Sequence, residues 1–401
     1  SMAYVAIVQC AGQCSGEFYL LQRYVQIKVF IYLKKVKSIN FWRGKMFNLE
    51  LAKRLSVEYD IPTEDIIMIA LNRYGLVADL PDKRIRFRIK LNTDSNVYYC
   101  AVCLNTFPSP FRLMPNGDLL LEEEKVGDIY EIEQDTCDST YFRRNRTALT
   151  LNSNMRSQCK GCKFCGSYNL DPADMSDLNN EAKLAKYIEM VLKENNMTSF
   201  EDLVRITICT GCFEDENKLV EHILMVKRVF GEYGFNKRIR YIGSQLRSDS
   251  AMKAISDEVG DFSLTFTAEC FARRNDIMRK EKGDLKVEDI YSFLDKAKNY
   301  GFSTNYLYIL GLDSLDVMKS GMEKLKGCIN RFPGVQILQN FTPEQEEQRI
   351  AEAKNIEYYL RARKVIEQIY GKEKYKPRSW ENYRGLFYTT FDSEKMTGIR
   401  I

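Results

Sequence analysis

At 401 residues the chain has room for two or three domains and a sizeable core. Its 45% hydrophobic and 28% charged residues exclude disorder, and Lys+Arg 59 against Asp+Glu 55, a net +4, is too slight an excess to mark a nucleic-acid binder. Twelve Cys against one His, His222, exclude a histidine-rich metal site and leave few ways to build a Ser–His or Cys–His nucleophile, so metal or redox chemistry must run on sulfur.

The N-terminus carries no basic, small-residue secretory signal. Its most apolar stretch, Tyr19 to Leu33, is broken by Gln22, Arg23, Gln26 and Lys28, too short and too charged to span a bilayer. A long, Lys-rich chain with many cysteines reads as cytoplasmic, its thiols reduced or bound to metal, with no membrane partner. Residues 1–45 read as a leader or a tag-derived extension. Ser1-Met2 resembles a protease-cleavage scar, and Arg43-Gly44-Lys45 would be encoded by a purine-rich run just before a natural start at Met46.

Residues 46–145 form a small α+β accessory domain. Two helices, Leu49–Glu58 and Thr63–Arg73, are separated by Ile61-Pro62. Short alternating runs follow at Arg84–Lys90, Val97–Val102, Asp118–Leu121 and Ile129–Ile132, punctuated by Pro108, Pro110 and Asn116-Gly117. From 146 to 342 the rhythm becomes strand then helix. Strands at Thr147–Asn152, Val204–Cys209, Arg238–Ile242, Phe262–Ala268, Thr304–Leu310 and Val335–Asn340 alternate with helices at Asn180–Asn195, Glu216–Tyr233, Ser250–Glu258, Val287–Tyr300 and Leu315–Ile329. Six such units argue for an α/β fold with a parallel sheet curling into a partial (βα)6 TIM-like barrel. Residues 343–401 supply one long helix, Pro343–Tyr370, and a capping tail with Tyr383, Phe387 and Tyr388.

Directly after the first barrel strand comes Gln158-Cys159-Lys160-Gly161-Cys162-Lys163-Phe164-Cys165-Gly166. Three cysteines at two-residue gaps in a Gly-containing loop converge their sulfurs, as in the first three positions of a bacterial ferredoxin run. The ferredoxin's fourth cysteine is replaced by Asn169, so one iron of a cube would lack a local protein ligand, the mark of a catalytic rather than a closed structural centre. The alternative on sulfur alone is a zinc ribbon pairing Cys100 and Cys103 with two of these cysteines. The loop's position is that of catalytic loops in barrel enzymes, at the C-terminal end of a strand.

This loop, with an aromatic Phe164 before its last cysteine, resembles that of the radical S-adenosylmethionine superfamily; the resemblance covers about Thr147 to Phe341 and departs from the commonest family spacing, CxxxCxxC, by one residue. It implies an enzyme with a [4Fe-4S] cluster on Cys159, Cys162 and Cys165 whose open iron chelates S-adenosylmethionine. Reductive cleavage to methionine and a 5′-deoxyadenosyl radical would follow, and the radical would abstract hydrogen from a substrate. An external electron donor such as flavodoxin or ferredoxin is implied as partner. Further family positions fall at Gly211, after the second strand, where the usual Gly-Gly-Glu reads Thr210-Gly211-Cys212, and at Ser244 and Gln245, facing the ribose. Glu269 and Arg274 resemble the biotin-synthase-like branch's ribose and carboxylate ligands. Ile309-Leu310-Gly311 resembles the adenine-contacting motif, with Ser314 in place of its Glu. Gln339 faces the substrate or is a polar strand end.

Cys212 and Cys270 are candidate catalytic residues, as hydrogen donors to a product radical or as part of a second cluster, whereas Cys209, inside a strand, reads as a small buried residue. Cys100, Cys103 and Cys137 are candidates for a zinc or auxiliary cluster with no fourth ligand evident. His222 reads as a surface or packing residue, and Glu221-His222-Ile223 excludes a DxHxxG cobalamin signature. No cysteine follows Cys328, so a C-terminal auxiliary-cluster module is not expected. The leading expectation is a radical enzyme acting on a small molecule or metabolite. The alternatives are a radical RNA-modifying enzyme, suggested by Arg143, Arg144 and Arg146, and a zinc-stabilised interaction protein.

Overall fold

The backbone restriction that proline places on its predecessor separates the first two helices, α1 (Leu49–Tyr59) and α2 (Thr63–Tyr74), at Ile61-Pro62. The computed structural model describes residues 47–135, 140–153, 161–165, 178–382 and 384–399. The extension to residue 45, Met46, Cys137 and Cys159 lie outside the described residues. From Asp65 to Arg73 every residue of α2 is buried, which suits a helix apolar on most of its circumference to a central position.

Five antiparallel strands follow: β1 (Arg84–Leu91), β2 (Val97–Cys103), β3 (Phe111–Leu113), β4 (Asp118–Leu121) and β5 (Glu124–Gln134), in spatial order β2-β1-β5-β4-β3. The run expected at Ile129–Ile132 is therefore the end of a longer strand. β3 was not expected, because three residues are too few to show a period.

The second sheet has seven strands. β6 (Tyr141–Arg143) pairs antiparallel with β7 (Ala148–Leu151), and β8 (Arg205–Cys209), β9 (Arg238–Gly243), β10 (Phe262–Glu269), β11 (Ser303–Leu310) and β12 (Gly334–Ile337) add to it in parallel and in chain order. β12 and β6 are its two edges, so the sheet is open, in the order of a partial TIM-like barrel. Amphipathic helices connect the parallel strands: α3 (Glu181–Glu194), α4 (Glu216–Glu232), α5 (Asp249–Val259), then the single turns α6 (Arg274–Ile277) and α7 (Lys280–Gly283), α8 (Val287–Asn299) and α9 (Leu315–Leu325). Side-chain caps start several of them: Asn180 accepts from Lys183 N–H, Asp215 from Lys218, Ser248 from Ala251 and Ser314 from Val317.

The long helix expected over Pro343–Tyr370 is two helices, α10 (Pro343–Glu347) and α11 (Ile356–Tyr370), with a 3-10 turn at Glu352–Lys354 between them. The cause is Arg349, which turns inward, pairs with Glu346 at 2.9 Å and donates to Leu338 O at 2.7 Å and to Tyr359 Oη. Ile350 N–H at the same point bonds Gly311 O at 2.9 Å, replacing helical hydrogen bonds with a dock on the loop after β11. The tail then runs back along the barrel. Ile337 N–H donates to Arg384 O at 2.8 Å, Arg143 donates to Trp380 O, and a final hairpin pairs Thr390–Phe391 with Glu394–Lys395. Buried Asp65 and Arg363 hold this tail: Asp65 accepts from Thr389 N–H at 2.8 Å, and Arg363 donates to Leu386 O at 2.8 Å. Among the described residues no helix is long and apolar enough to cross a membrane.

Candidate functional site

Strand β7 delivers the chain to the cysteine loop at the C-terminal edge of the parallel sheet. Its described part, Gly161–Cys165, is fixed by Lys163 N–H donating to Ile277 O at 2.8 Å and by Cys165 N–H donating to Cys162 O at 3.1 Å. Gly161 has φ +102, and a Cβ there would meet Arg279 Cβ at 3.1 Å, so both conformation and space favour glycine. Cys162 and Phe164 are buried in an apolar cluster with Cys270, Ile277, Met278, Leu312 and Leu338, while Cys165 is half-buried and opens onto the lumen. Burial pushes the Cys162 thiol up to about 11, so it stays protonated unless a cation compensates the thiolate.

The lumen beside this loop is a cavity of about 280 Å³ with side chains from each of the parallel strands β7 to β12. Phe164, Cys165, Gly211, Cys212, Ser244, Glu269, Ile309 and Gln339 all line it. Four of its polar atoms have no hydrogen-bond partner among the described residues although buried: Ser244 Oγ, Thr267 Oγ1, Glu269 Oε2 and Gln339 Oε1. Leaving such atoms unpaired costs on the order of 1–3 kcal/mol each, so a cavity that gathers four is built for a polar ligand. Glu269 is the most unusual. It is 8% exposed, ends β10 at φ +66, and its carboxyl is held above the ordinary range by burial, against the opposing pull of Lys282, whose Nζ lies 3.7 Å from Oε2.

Other residues singled out in the sequence are turned to structural partners. Gln245 clamps the loop after β8, accepting from Phe213 N–H at 2.8 Å and donating to Phe213 O at 3.0 Å. Arg274 spends its guanidinium on main-chain carbonyls: Cys270 at 2.9 Å, Leu285 and Lys282 at 2.7 Å each, and Ala268. Gly311, at φ +104, sits where a Cβ would meet Arg349 Nη1 at 3.1 Å. Cys270 is wholly buried in the apolar cluster and does not appear in the cavity wall, whereas Cys212 does. Gln339 Nε2 donates to Ala101 O at 2.5 Å, tying the antiparallel module to the barrel edge.

Two readings are corrected. Cys209 is not a small buried residue: as the last residue of β8 it is exposed to the cavity that it lines. Cys100 and Cys103 both lie in β2, where residues three apart face opposite sides of the sheet, so the pair cannot converge on one zinc or cluster. Among the described residues no group of three or more His, Cys, Asp or Glu is placed to hold a metal. His222, read as surface or packing, is a buried packing residue. Its Nε2 lies 2.6 Å from Ser153 Oγ, its ring packs on Phe213 at 5.0 Å, and burial pushes its pKa down to about 4.

Sequence reading missed Lys282 and Thr267 in the wall. Lys282 gave no signal, being one lysine in a charged turn. Thr267 did, because Ser263, Thr265, Thr267 and Glu269 alternate as a polar set along a strand that is buried throughout.

No protein-family model matches the chain, and no curated protein does. Among solved structures it is similar to the radical S-adenosylmethionine methyltransferase TsrM from Kitasatospora setae, determined with cobalamin and a [4Fe-4S] cluster bound. The TM-score is 0.35 and the identity 10%, over 50% of this chain and 38% of that one.

Proposed function

We propose that this chain is a radical S-adenosylmethionine enzyme that holds a [4Fe-4S] cluster on Cys159, Cys162 and Cys165 and abstracts hydrogen from a small-molecule substrate. The observation that carries the reading is the meeting of the described end of the cysteine loop, Phe164 and Cys165, with a lumen holding buried polar atoms that lack hydrogen-bond partners among the described residues. The donor set fits the group. Cys165 brings sulfur to the cavity edge and Cys162 lies beside it in the apolar cluster, and a thiol held protonated by burial, as at Cys162, loses its proton to a metal. The partnerless hydroxyls and amide oxygen, with the Glu269 carboxyl beside Lys282, match the amine and ribose hydroxyls of S-adenosylmethionine. When bound, the cluster would supply the electron that cleaves S-adenosylmethionine.

The chain's own residues then have assignable work. Glu269, kept beside Lys282 by a strained backbone, receives a hydroxyl pair. Ser244 and Gly211 contact the ligand's polar end, while Ile309 and Phe164 present apolar surface to a flat ring. Gln245 and Arg274 act as positioning residues, the first holding the loop after β8 and the second the turn after β10. Asp313 supports the same turn by accepting from Phe271 N–H at 2.7 Å.

Anaerobic reconstitution with iron and sulfide tests the reading. A brown protein with broad charge-transfer absorption, lost in Cys162→Ala and Cys165→Ala, supports it. A colourless protein that binds zinc instead would defeat it.

A further inference from the structure

The interior of a (βα) barrel is ordinarily packed with branched apolar side chains. At the N-terminal end of this one the interior is cationic. Arg205 opens β8, Arg240 lies in the first half of β9 and Arg331 precedes β12, and all three converge on one carboxylate, Glu381 of the tail. Arg331 Nη2 lies 3.0 Å from Glu381 Oε2, Arg240 Nη1 lies 3.6 Å from Oε1, and Arg205 Nη1 bonds the same oxygen. Among the described residues their other partners are neutral: Arg331 donates to Ser263 Oγ at 2.6 Å, Arg240 to Thr265 Oγ1 at 2.8 Å, and Arg205 lies over the Trp380 ring at 4.3 Å.

Three guanidinium groups, those of Arg240 and Arg331 buried and that of Arg205 nearly so, carry about fifteen N–H donors, while a carboxylate offers two oxygens and one charge. The excess is not relieved nearby. The cavity of about 330 Å³ that adjoins the cluster is lined by Arg240, Arg331, Lys374, Lys376, Arg378 and Arg384, and, among the described residues, by no acidic side chain besides Glu381. Burial and repulsion by Arg331 and Arg205 hold the Arg240 guanidinium well below its ordinary range, so an added anion beside it would favour its charged form. Exposed Lys374 and Arg378 place the cavity within reach of solvent ligands.

We propose that this end of the barrel is an anion-binding site, distinct from the cysteine loop at the other end, that takes a phosphoryl or carboxylate group of a small molecule alongside Glu381. Oxygens of such a group accept from the guanidinium N–H groups of Arg240 and Arg331 that Glu381, Thr265 and Ser263 leave unused, and the rim cations draw the anion in. The proposal does not depend on the chemistry assigned to the cysteine loop.

Thermal denaturation and titration calorimetry of the full chain test it, with inorganic phosphate and succinate as probes against sodium chloride at equal ionic strength. Saturable stabilisation by phosphate alone assigns a phosphoryl site, by succinate alone a carboxylate site, and by both a general oxyanion site; each supports the proposal. Arg331→Gln should weaken binding at least about tenfold, the loss of one charge-assisted pair. Glu381→Gln, which removes the resident competing anion, should be less stable without phosphate and should regain stability with it. Should that variant fail to fold, Arg378→Gln on the exposed rim should lower affinity while leaving the melting temperature without ligand unchanged. No effect of either probe beyond chloride would overturn the site. So would a phosphate effect that Arg331→Gln leaves intact, which would mark general salting-out.

Discussion

Acidification should destabilise this protein through one identifiable residue, because His222 is its sole histidine. The imidazole is 6% exposed, has Ser153 Oγ at 2.6 Å and the Phe213 ring at 5.0 Å, and burial lowers its pKa from 6.5 to about 4. In the unfolded chain the ring titrates near 6.5, so between pH 6.5 and 4 the unfolded state binds a proton that the folded state refuses. The contribution is therefore complete above pH 6.5 and is lost as the pH falls toward 4. The slope is about 1.4 kcal/mol per pH unit and the total about 3 kcal/mol. The assay is the imidazole resonance of the single histidine followed by NMR from pH 8 to the acid limit of folding, alongside denaturant midpoints at each pH. His222→Gln keeps a hydrogen-bonding group but removes the titration, and should flatten the pH dependence over this window. A wild-type imidazole titrating near 6.5 would refute the reasoning, because it would place the ring in water rather than between Ser153 and Phe213.

Further predictions concern the scaffold and the cavity. Asp65→Ala leaves Arg363 with Glu367, at 3.0 Å, as its remaining ion partner and frees Thr389 N–H, and should cost about 2–3 kcal/mol, read as a lower denaturant midpoint; a change under about 1 kcal/mol would show that the tail is held elsewhere. Arg274→Lys cannot serve the carbonyls of Ala268, Cys270, Lys282 and Leu285 together, so it should lose about 2 kcal/mol or more. A midpoint equal to wild type would contradict that role. Because Cys212 lines the cavity and Cys270 does not, Cys212→Ala should separate S-adenosylmethionine cleavage from product formation while Cys270→Ala leaves the two coupled. The reverse pattern in product analysis would assign the donor role to Cys270.

The strand–helix alternation from Thr147 onward was legible because each buried run is β-branched and aromatic and each connecting helix is amphipathic. Phe262–Glu269, buried along its whole length, is the clearest case. What escaped was short or depended on distant partners. The three residues of Tyr141–Arg143 show no period, yet they add an antiparallel edge to the parallel sheet. The break after Glu347 is invisible in a run of helix formers, since it comes from Arg349 reaching Leu338 and Tyr359. At the candidate site the cysteine spacing and Glu269 were readable. Nothing local separates Ser244, which faces the lumen, from neighbouring Gln245, which turns to Phe213. The opposed faces of Cys100 and Cys103 follow from strand periodicity alone, so that correction was available in the sequence.

The most direct test of the central claim is product analysis of the anaerobically reconstituted, chemically reduced protein with S-adenosylmethionine. The account predicts methionine and 5′-deoxyadenosine, formed by the wild type and abolished in Cys159→Ala, Cys162→Ala and Cys165→Ala. An intact, reducible iron–sulfur cluster that yields no 5′-deoxyadenosine would contradict it.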